Sequence, residues 1–417
     1  MTTKPCTICR GRVQEFHDFG MQPLSDAFRR PGDESQEYLF RLAVGMCLDC
    51  TMVQLMEEVD RDKMFHESYP FMSGGSAGMR AHFEGGATRF LENTTGRGDD
   101  FVVELGSNDG TMLSHLADAG MHHLGVEPSA GVARLAVEKG VRVLGDFFEE
   151  ESAVRIRGEH GPATVIYAAN TLCHIPYLDS VFAGVNELLA PDGIMVFEDP
   201  YFGDIVEKTS FDQIYDEHFY LFSARSVQEL ARRHGLELVD VERLPVHGGE
   251  VRYTLARSGA REVSDAVTVM IAAEERSGLT EPATLEAFSH RVSDIRRDLD
   301  AALTELRAQG LTVVGYGATA KSATVLNMCG IGPDLIPRIF DNTPAKQGLL
   351  TPGSRIPVVD SADFPDPYPD VAVLFAWNHA REITARETGF LDAGGRWLLY
   401  VPRVHEMSEP APEPVRV

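Results

Sequence analysis

The sequence predicts an α/β protein of more than one domain, on three observations. Between Glu104 and Ala256 short apolar runs alternate with helical stretches, as in a βαβ series built on a mainly parallel sheet. A second glycine turn after an apolar run, Leu311 to Ser322, opens another such unit. Ahead of both stand two Cys-x-x-Cys knuckles, Cys6/Cys9 and Cys47/Cys50. At 417 residues the chain is too long for one ordinary core. The expected divisions are 1–75, 76–256, a helical connector over 257–310, 311–407 and a tail over 408–417.

Each knuckle can bite one edge of a tetrahedron, so Cys6, Cys9, Cys47 and Cys50 predict a zinc site. Disulfides, disfavoured in a reducing compartment, and chance are the competing explanations. Four thiolates leave the metal no open position, which makes it structural. The gap between the knuckles is long, and Gly11 and Gly20 mark turns within it. Cys173 and Cys329 stand alone and read as small core residues. Phe65 to Ser76, with Tyr69-Pro and small residues after it, reads as a loop able to lie over a pocket. Arg80 to Leu91 reads as an amphipathic helix leading into the first strand of the sheet.

Phe101-Val-Val-Glu-Leu-Gly-Ser-Asn-Asp-Gly110 organises the rest. It is an apolar run ending in acid-x-Gly-x-x-x-Gly, a strand turning sharply into a helix. Gly-x-Gly-x-x-Gly is absent here, which argues against a dinucleotide. The acidic turn suits a positively charged ligand such as a sulfonium amino acid. Leu124–Glu127, Val143–Asp146 and Val165–Asn170 are further strand ends carrying one polar group each. Taken singly, each acid is also an ordinary helix cap or solvated turn. Taken in order, the set resembles the S-adenosylmethionine-dependent methyltransferases of Rossmann-like fold. That resemblance implies that Glu104, Gly106, Asn108 and Gly110 hold the methionine portion, Glu127 the ribose and Asp146 the adenine, with Asn170 completing the cofactor set.

Two later stretches carry more polar and aromatic chemistry than packing needs: Asn170 to Pro176, and Phe211 to Tyr220. His218, beside Glu217 and one helical turn from Tyr215, offers a base with orienting partners. The same Asp-Glu-His is equally readable as a solvated charge run. His247-Gly-Gly249 is a further candidate, though it reads first as a turn at a strand edge. From Ser258 to Gln309 the chain is helical and charged, with Leu285, Phe288, Val292, Ile295 and Leu299 on one face.

Gly315-Tyr316-Gly317-Ala-Thr-Ala-Lys321-Ser322 is a near miss to two motifs. As a phosphate loop it has Ala320 where glycine is required; as a dinucleotide loop it is Gly-x-Gly-x-x-Ala, with Asp341 at the ribose-acid distance. Both readings aim helix N-terminal amides and Lys321 at phosphate oxygens. Asn342, Lys346 and Asn378 follow later strands and could complete a nucleotide-diphosphate pocket. The tail from Ser408 reads as disordered.

A formal charge of −25 repels phosphate backbones, so nucleic acid is not an expected partner, and an anionic substrate needs a local set of donors. No run of eighteen apolar residues and no apolar leader core exist, so a cytoplasmic protein with no membrane partner is expected.

The whole order of motifs resembles the C-methyltransferases of nucleotide-activated deoxysugars. The fold this implies is α/β: a small N-terminal four-cysteine zinc module, a central Rossmann-like methyltransferase domain and a C-terminal Rossmann-like α/β domain. The resemblance implies a TDP-4-keto-deoxyhexose as substrate, with C3 favoured over C5. Tyr69, His174, Tyr215, Glu217 and His218 would line the site, with His218 as base. Gly315, Tyr316, Gly317, Lys321, Ser322, Asp341, Asn342, Lys346 and Asn378 would bind the sugar nucleotide. The chemistry is coherent: a carbon beside a ketone yields its proton to a placed imidazole if the growing enolate is stabilised. Alternatives are a bifunctional enzyme that also reduces the ketone with NADPH, an NAD-dependent dehydrogenase and a non-catalytic zinc-anchored binding protein. A monomer or weak dimer is expected.

Overall fold

A computed structural model describes residues 3–64, 72–93 and 100–407. Tyr69 and the tail from Ser408 lie outside the described residues. The strands run β1 (Thr3–Pro5), β2 (Arg12–Pro23), β3 (Leu39–Cys47), β4 (Val53–Leu55), β5 (Phe101–Leu105), β6 (His122–Val126), β7 (Val143–Leu144), β8 (Ala163–Ala169) and β9 (Leu189–Pro200). They continue with β10 (Tyr220–Leu221), β11 (Leu236–Leu244), β12 (Glu250–Arg257), β13 (Val313–Tyr316), β14 (Ile339–Asp341), β15 (Val358–Asp360), β16 (Val371–Leu374), β17 (Arg396–Leu399) and β18 (His405–Met407).

Among the described residues these strands make three sheets, ordered β1-β2-β3-β4-β10, β11-β12-β9-β8-β5-β6-β7 and β15-β14-β13-β16-β17-β18. In the central sheet β5 to β9 are parallel, and β11 and β12 close one edge antiparallel. β5 is buried along its whole length, as a strand covered on both faces must be. It lies between β6 and β8, so strand order reverses there. β13 holds the same place between β14 and β16 in the third sheet. Each reversal opens a crevice at the carboxyl ends of the strands, where ligands of such sheets bind.

The first sheet is an antiparallel ribbon whose length accounts for the long gap between the knuckles. β2 and β3 pair from Val13↔Cys47 to Pro23↔Leu39, so the near end brings the cysteines together. The far end reaches the third sheet, where Arg29 bridges Leu350 and Glu37 accepts from the Gly353 amide at 2.8 Å. The fifth strand, β10, comes from the middle of the chain and pairs with β4. Helix Pro282–Ala308 buries Leu285, Phe288, Val292, Ile295 and Leu299 along one face, as its periodicity predicts. No helix among the described residues is long and apolar enough to cross a membrane.

Candidate active site

The carboxyl ends of β5, β6 and β8 face those of β13 and β14 across a cavity of about 470 Å³. One wall is Leu105, Gly106, Asn108, Val126 to Ser129, Phe147, Phe148 and Ala169 to Thr171. The Glu127 carboxylate is held in this wall by two backbone amides, Asn108 at 2.9 Å and Ser129 at 2.8 Å. Burial pushes its pKa up while those amides pull it down. An oriented carboxylate with lone pairs to spare, next to phenylalanine rings, is a donor set that fits a ribose diol and an adenine. S-adenosylmethionine therefore fits this wall, and when bound it supplies an electrophilic methyl group.

The predicted cofactor residues separate into two groups. Gly106, Asn108, Glu127 and Asn170 line the cavity. Glu104, Gly110 and Asp146 do not. Glu104 is buried in β5, where desolvation and the neighbouring carboxylates Asp109, Glu127 and Glu198 hold its pKa well above the ordinary range. Gly110 has φ +70°, and a Cβ there would stand 2.8 Å from that of Ala136, so it serves helix packing. Asp146 turns outward to Arg155 at 2.5 Å, and Phe147 and Phe148 take the wall instead. The loop ahead of the sheet contributes Met72, Ser73, Gly75 and Ser76, with the Ser73 amide donating to Asn108 Oδ1 at 3.0 Å.

Between the two walls lie His174, Tyr215, Glu217 and His218, all facing the cavity. His218 Nδ1 is 2.7 Å from the Gln213 carbonyl, which can only accept, so Nδ1 carries the proton. Nε2 is then the basic atom, and the Tyr215 hydroxyl donates to it at 2.8 Å. Burial, then the His174 ring and the Lys321 ammonium, hold the His218 pKa well below 6.5, so the imidazole is neutral. His174 stacks on it with ring centroids 5.2 Å apart and is itself pushed down to about 4 by burial. Tyr215 is kept protonated by burial and by the Glu217 carboxylate. A neutral base in contact with a phenol that can donate elsewhere is the equipment for removing a carbon-bound proton.

The opposite wall holds Tyr316, Gly317, Lys321, Asp341, Asn342, Lys346 and Asn378. Asp341 repeats the arrangement of Glu127: its two oxygens accept from the Ala318 and Thr343 amides, each at 2.7 Å. Lys346 donates to the Ala318 carbonyl at 3.0 Å and pairs with Asp26 at 3.6 Å. Two expected residues are absent from the wall. Gly315 lies within β13, where a Cβ would meet Ile339 at 2.7 Å. Ser322 is turned into its own helix, its hydroxyl donating to the Thr319 carbonyl at 2.6 Å.

His247, a secondary candidate in the sequence, reaches the cavity because the β11–β12 turn folds over the site; Gln213 donates to its carbonyl at 2.6 Å. Arg386, which no motif in the sequence marks, also lines the cavity and donates to the Tyr316 hydroxyl at 2.7 Å. The His-Gly-Gly turn was visible; its position over the site comes from tertiary packing.

Away from the cavity, the four knuckle sulfurs lie within 4.8 Å of one another. Cys6 and Cys50 are 3.6 Å apart and Cys9 and Cys47 3.3 Å. A zinc tetrahedron with bonds of about 2.3 Å has edges of about 3.8 Å, so the cluster fits that metal. The Ile8 and Gly11 amides donate to Cys6 and Cys9, as thiolate ligands require.

Three families match successive stretches of the chain: "Putative zinc binding domain" over 6–65, "Methyltransferase domain" over 81–241 and "C-methyltransferase C-terminal domain" over 245–402. C-methyltransferase NovU of Streptomyces niveus is 34% identical over 406 residues, covering 97% of this chain and 96% of its own. Uncharacterized methyltransferase GK2543 of Geobacillus kaustophilus is 27% identical over 167 residues, 39% of this chain and 74% of its own. A solved S-adenosylmethionine-dependent methyltransferase from Anabaena variabilis aligns with 41% of this chain and 82% of its own at 17% identity, with a TM-score of 0.31.

Proposed function

This chain belongs to the S-adenosylmethionine-dependent C-methyltransferases with an N-terminal zinc-binding domain, and from that premise we propose that it methylates an activated sugar. The substrate is a TDP-4-keto-deoxyhexose of natural-product deoxysugar biosynthesis, methylated at C3 rather than C5. The observation that carries this reading is the His218 pair: a neutral imidazole, its Nε2 on the Tyr215 hydroxyl, between a wall suited to a nucleoside and a wall with backbone amides and cations. His218 removes the proton beside the ketone. For that transfer Tyr215 first turns its hydroxyl from Nε2 toward the sugar, which frees the base and lets the hydroxyl donate to the enolate as it forms, with His174 next to it. Glu127 and Asn170 orient the cofactor, and Gly317, Asp341, Asn342, Lys346 and Asn378 hold the nucleotide. Zinc is structural.

The test is incubation with S-adenosylmethionine and a TDP-4-keto-2,6-dideoxyhexose in D2O, with and without NADPH, followed by mass spectrometry and NMR. One methyl gained at C3 without NADPH is the expected result. Two further hydrogens appearing only with NADPH would add a reductase activity. Neither methylation nor exchange of the α-proton would sink the substrate assignment.

A further inference from the structure

The sequence suggests that Lys321 faces phosphate; its surroundings suit a different task. We infer that Lys321 is a catalytic residue whose ammonium donates to the ketone oxygen and holds the enolate charge formed when His218 takes the α-proton. The inference rests on the proposed sugar reading of the site and assigns this residue within it.

Three features carry it. Lys321 is the second residue of helix Ala320–Cys329, three before Thr324, so the two share a face. The Thr324 hydroxyl donates to the Ile214 carbonyl at 3.0 Å, which packs that face on the segment bearing Tyr215, Glu217 and His218. Lys321 lines the cavity with those three residues.

The second feature is the charge around it. Buried Asp212 and Glu250 are the carboxylates that act on the Lys321 ammonium, and the rings of His218, His247 and His379 feel its charge. Asp212 Oδ2 accepts from Trp377 at 2.6 Å and Tyr400 at 2.7 Å, while Oδ1 has no hydrogen-bond partner among the described residues. The Asp212 carboxylate, which accepts from two donors, would repel a diphosphate in this corner. Burial lowers the Lys321 pKa and Asp212 offsets part of that, which favours an ammonium that meets one developing negative oxygen.

The third feature is that Lys321 is uncommitted, with no hydrogen bond or ion pair among the described residues, whereas Lys346 and Arg386 each spend donors on protein oxygens. Lys346, Arg386 and Asn342 line the same cavity and are the donors left for the diphosphate.

In the step itself, His218 Nε2 takes the α-proton and the C–H pair becomes the C=C bond. The carbonyl π pair moves to oxygen, where Lys321 and Tyr215 donate. The enolate carbon then takes the methyl, the carbon–sulfur bond pair stays on sulfur, and the C=O re-forms.

Lys321→Met and Lys321→Gln in the full-length, zinc-loaded protein decide between the two roles, with S-adenosylmethionine affinity as the control for folding. Expected are a loss of about a hundredfold in turnover at saturating TDP-4-keto-2,6-dideoxyhexose and in α-proton exchange in D2O, the size of losing one oxyanion donor. The Kd of TDP alone should stay within about twofold. If TDP binding instead weakens tenfold or more while saturated turnover persists, Lys321 belongs to the phosphates and the inference is overturned. Turnover and exchange at the wild-type rate in either variant would also overturn it, leaving the sugar reading intact. A wild-type protein that neither methylates nor exchanges the sugar overturns the reading and the inference together.

Discussion

His218 has its tautomer set by one partner and its basic atom covered by another, so its chemistry depends on both the Gln213 carbonyl and the Tyr215 hydroxyl. His218→Ala should lower turnover by roughly a hundredfold or more, the usual worth of a placed general base, with S-adenosylmethionine affinity unchanged. Loss of cofactor affinity to the same degree would rule out a base role. The pH profile adds a signed expectation. Because burial and nearby positive charge depress the His218 pKa, the base is lost only as pH falls below 6.5, so turnover should be flat from pH 6.5 to neutrality. An acid limb centred above 6.5 would contradict the depressed imidazole. The Tyr-Asp-Glu-His run was legible as chemistry, but a sequence cannot show burial, and burial is what separates His218 from a solvated charge run. Direction is also hidden: Asp146 and Glu127 both end a strand region, yet one faces Arg155 and the other the cavity.

The cysteine ribbon is the element whose consequences were least visible, although its metal spacing was plain. Its sheet takes in β10, the two residues that follow Phe219, and the Leu55 amide donates to the Phe219 carbonyl at 2.9 Å. At its far end the Ser25 amide donates to Asp216 Oδ1 at 3.0 Å, next to Glu217. The ribbon thus grips the segment bearing His218 from both sides, and the spacing of knuckles says nothing of such contacts, which span up to 191 residues. Cys47→Ser, or chelation of the metal, should therefore lower the melting temperature and the methyl-transfer turnover together. S-adenosylmethionine affinity should change little, since β5, β6 and β8 lie in a different sheet. Zinc analysis, thermal unfolding and titration of the cofactor check this. Full turnover in metal-free protein would show that the ribbon is only a tether.

Across the whole molecule, the parallel sheets were predictable because buried strands and glycine turns leave local patterns, whereas the acids buried in the central sheet follow no such pattern. The net charge of −25 reads as a solvated surface, yet several carboxyls are interior. Burial, opposed by the Cys173 thiol and reinforced by Glu198, pushes Asp199 up to about 8. Burial, with Glu198 and Asp199 alongside, pushes Glu250 up to about 8. In the unfolded chain both would titrate near 4, so between about pH 4 and 8 the folded protein holds protons that the unfolded one has released. Stability from these two groups is complete below about pH 4 and is lost as pH rises through about 8. Other groups add their own slopes, so the discriminating quantity is a difference between proteins. Asp199→Asn with Glu250→Gln removes both titrations while keeping the shape of the side chains. Denaturant unfolding at pH 6 and pH 8.5 should show wild type losing more stability across the interval than the double variant, with the gap closing or reversing in the variant's favour at the higher pH. Parallel losses in the two proteins would mean that these acids are ionised in the folded state and that their charge is already met by the cavity's cations.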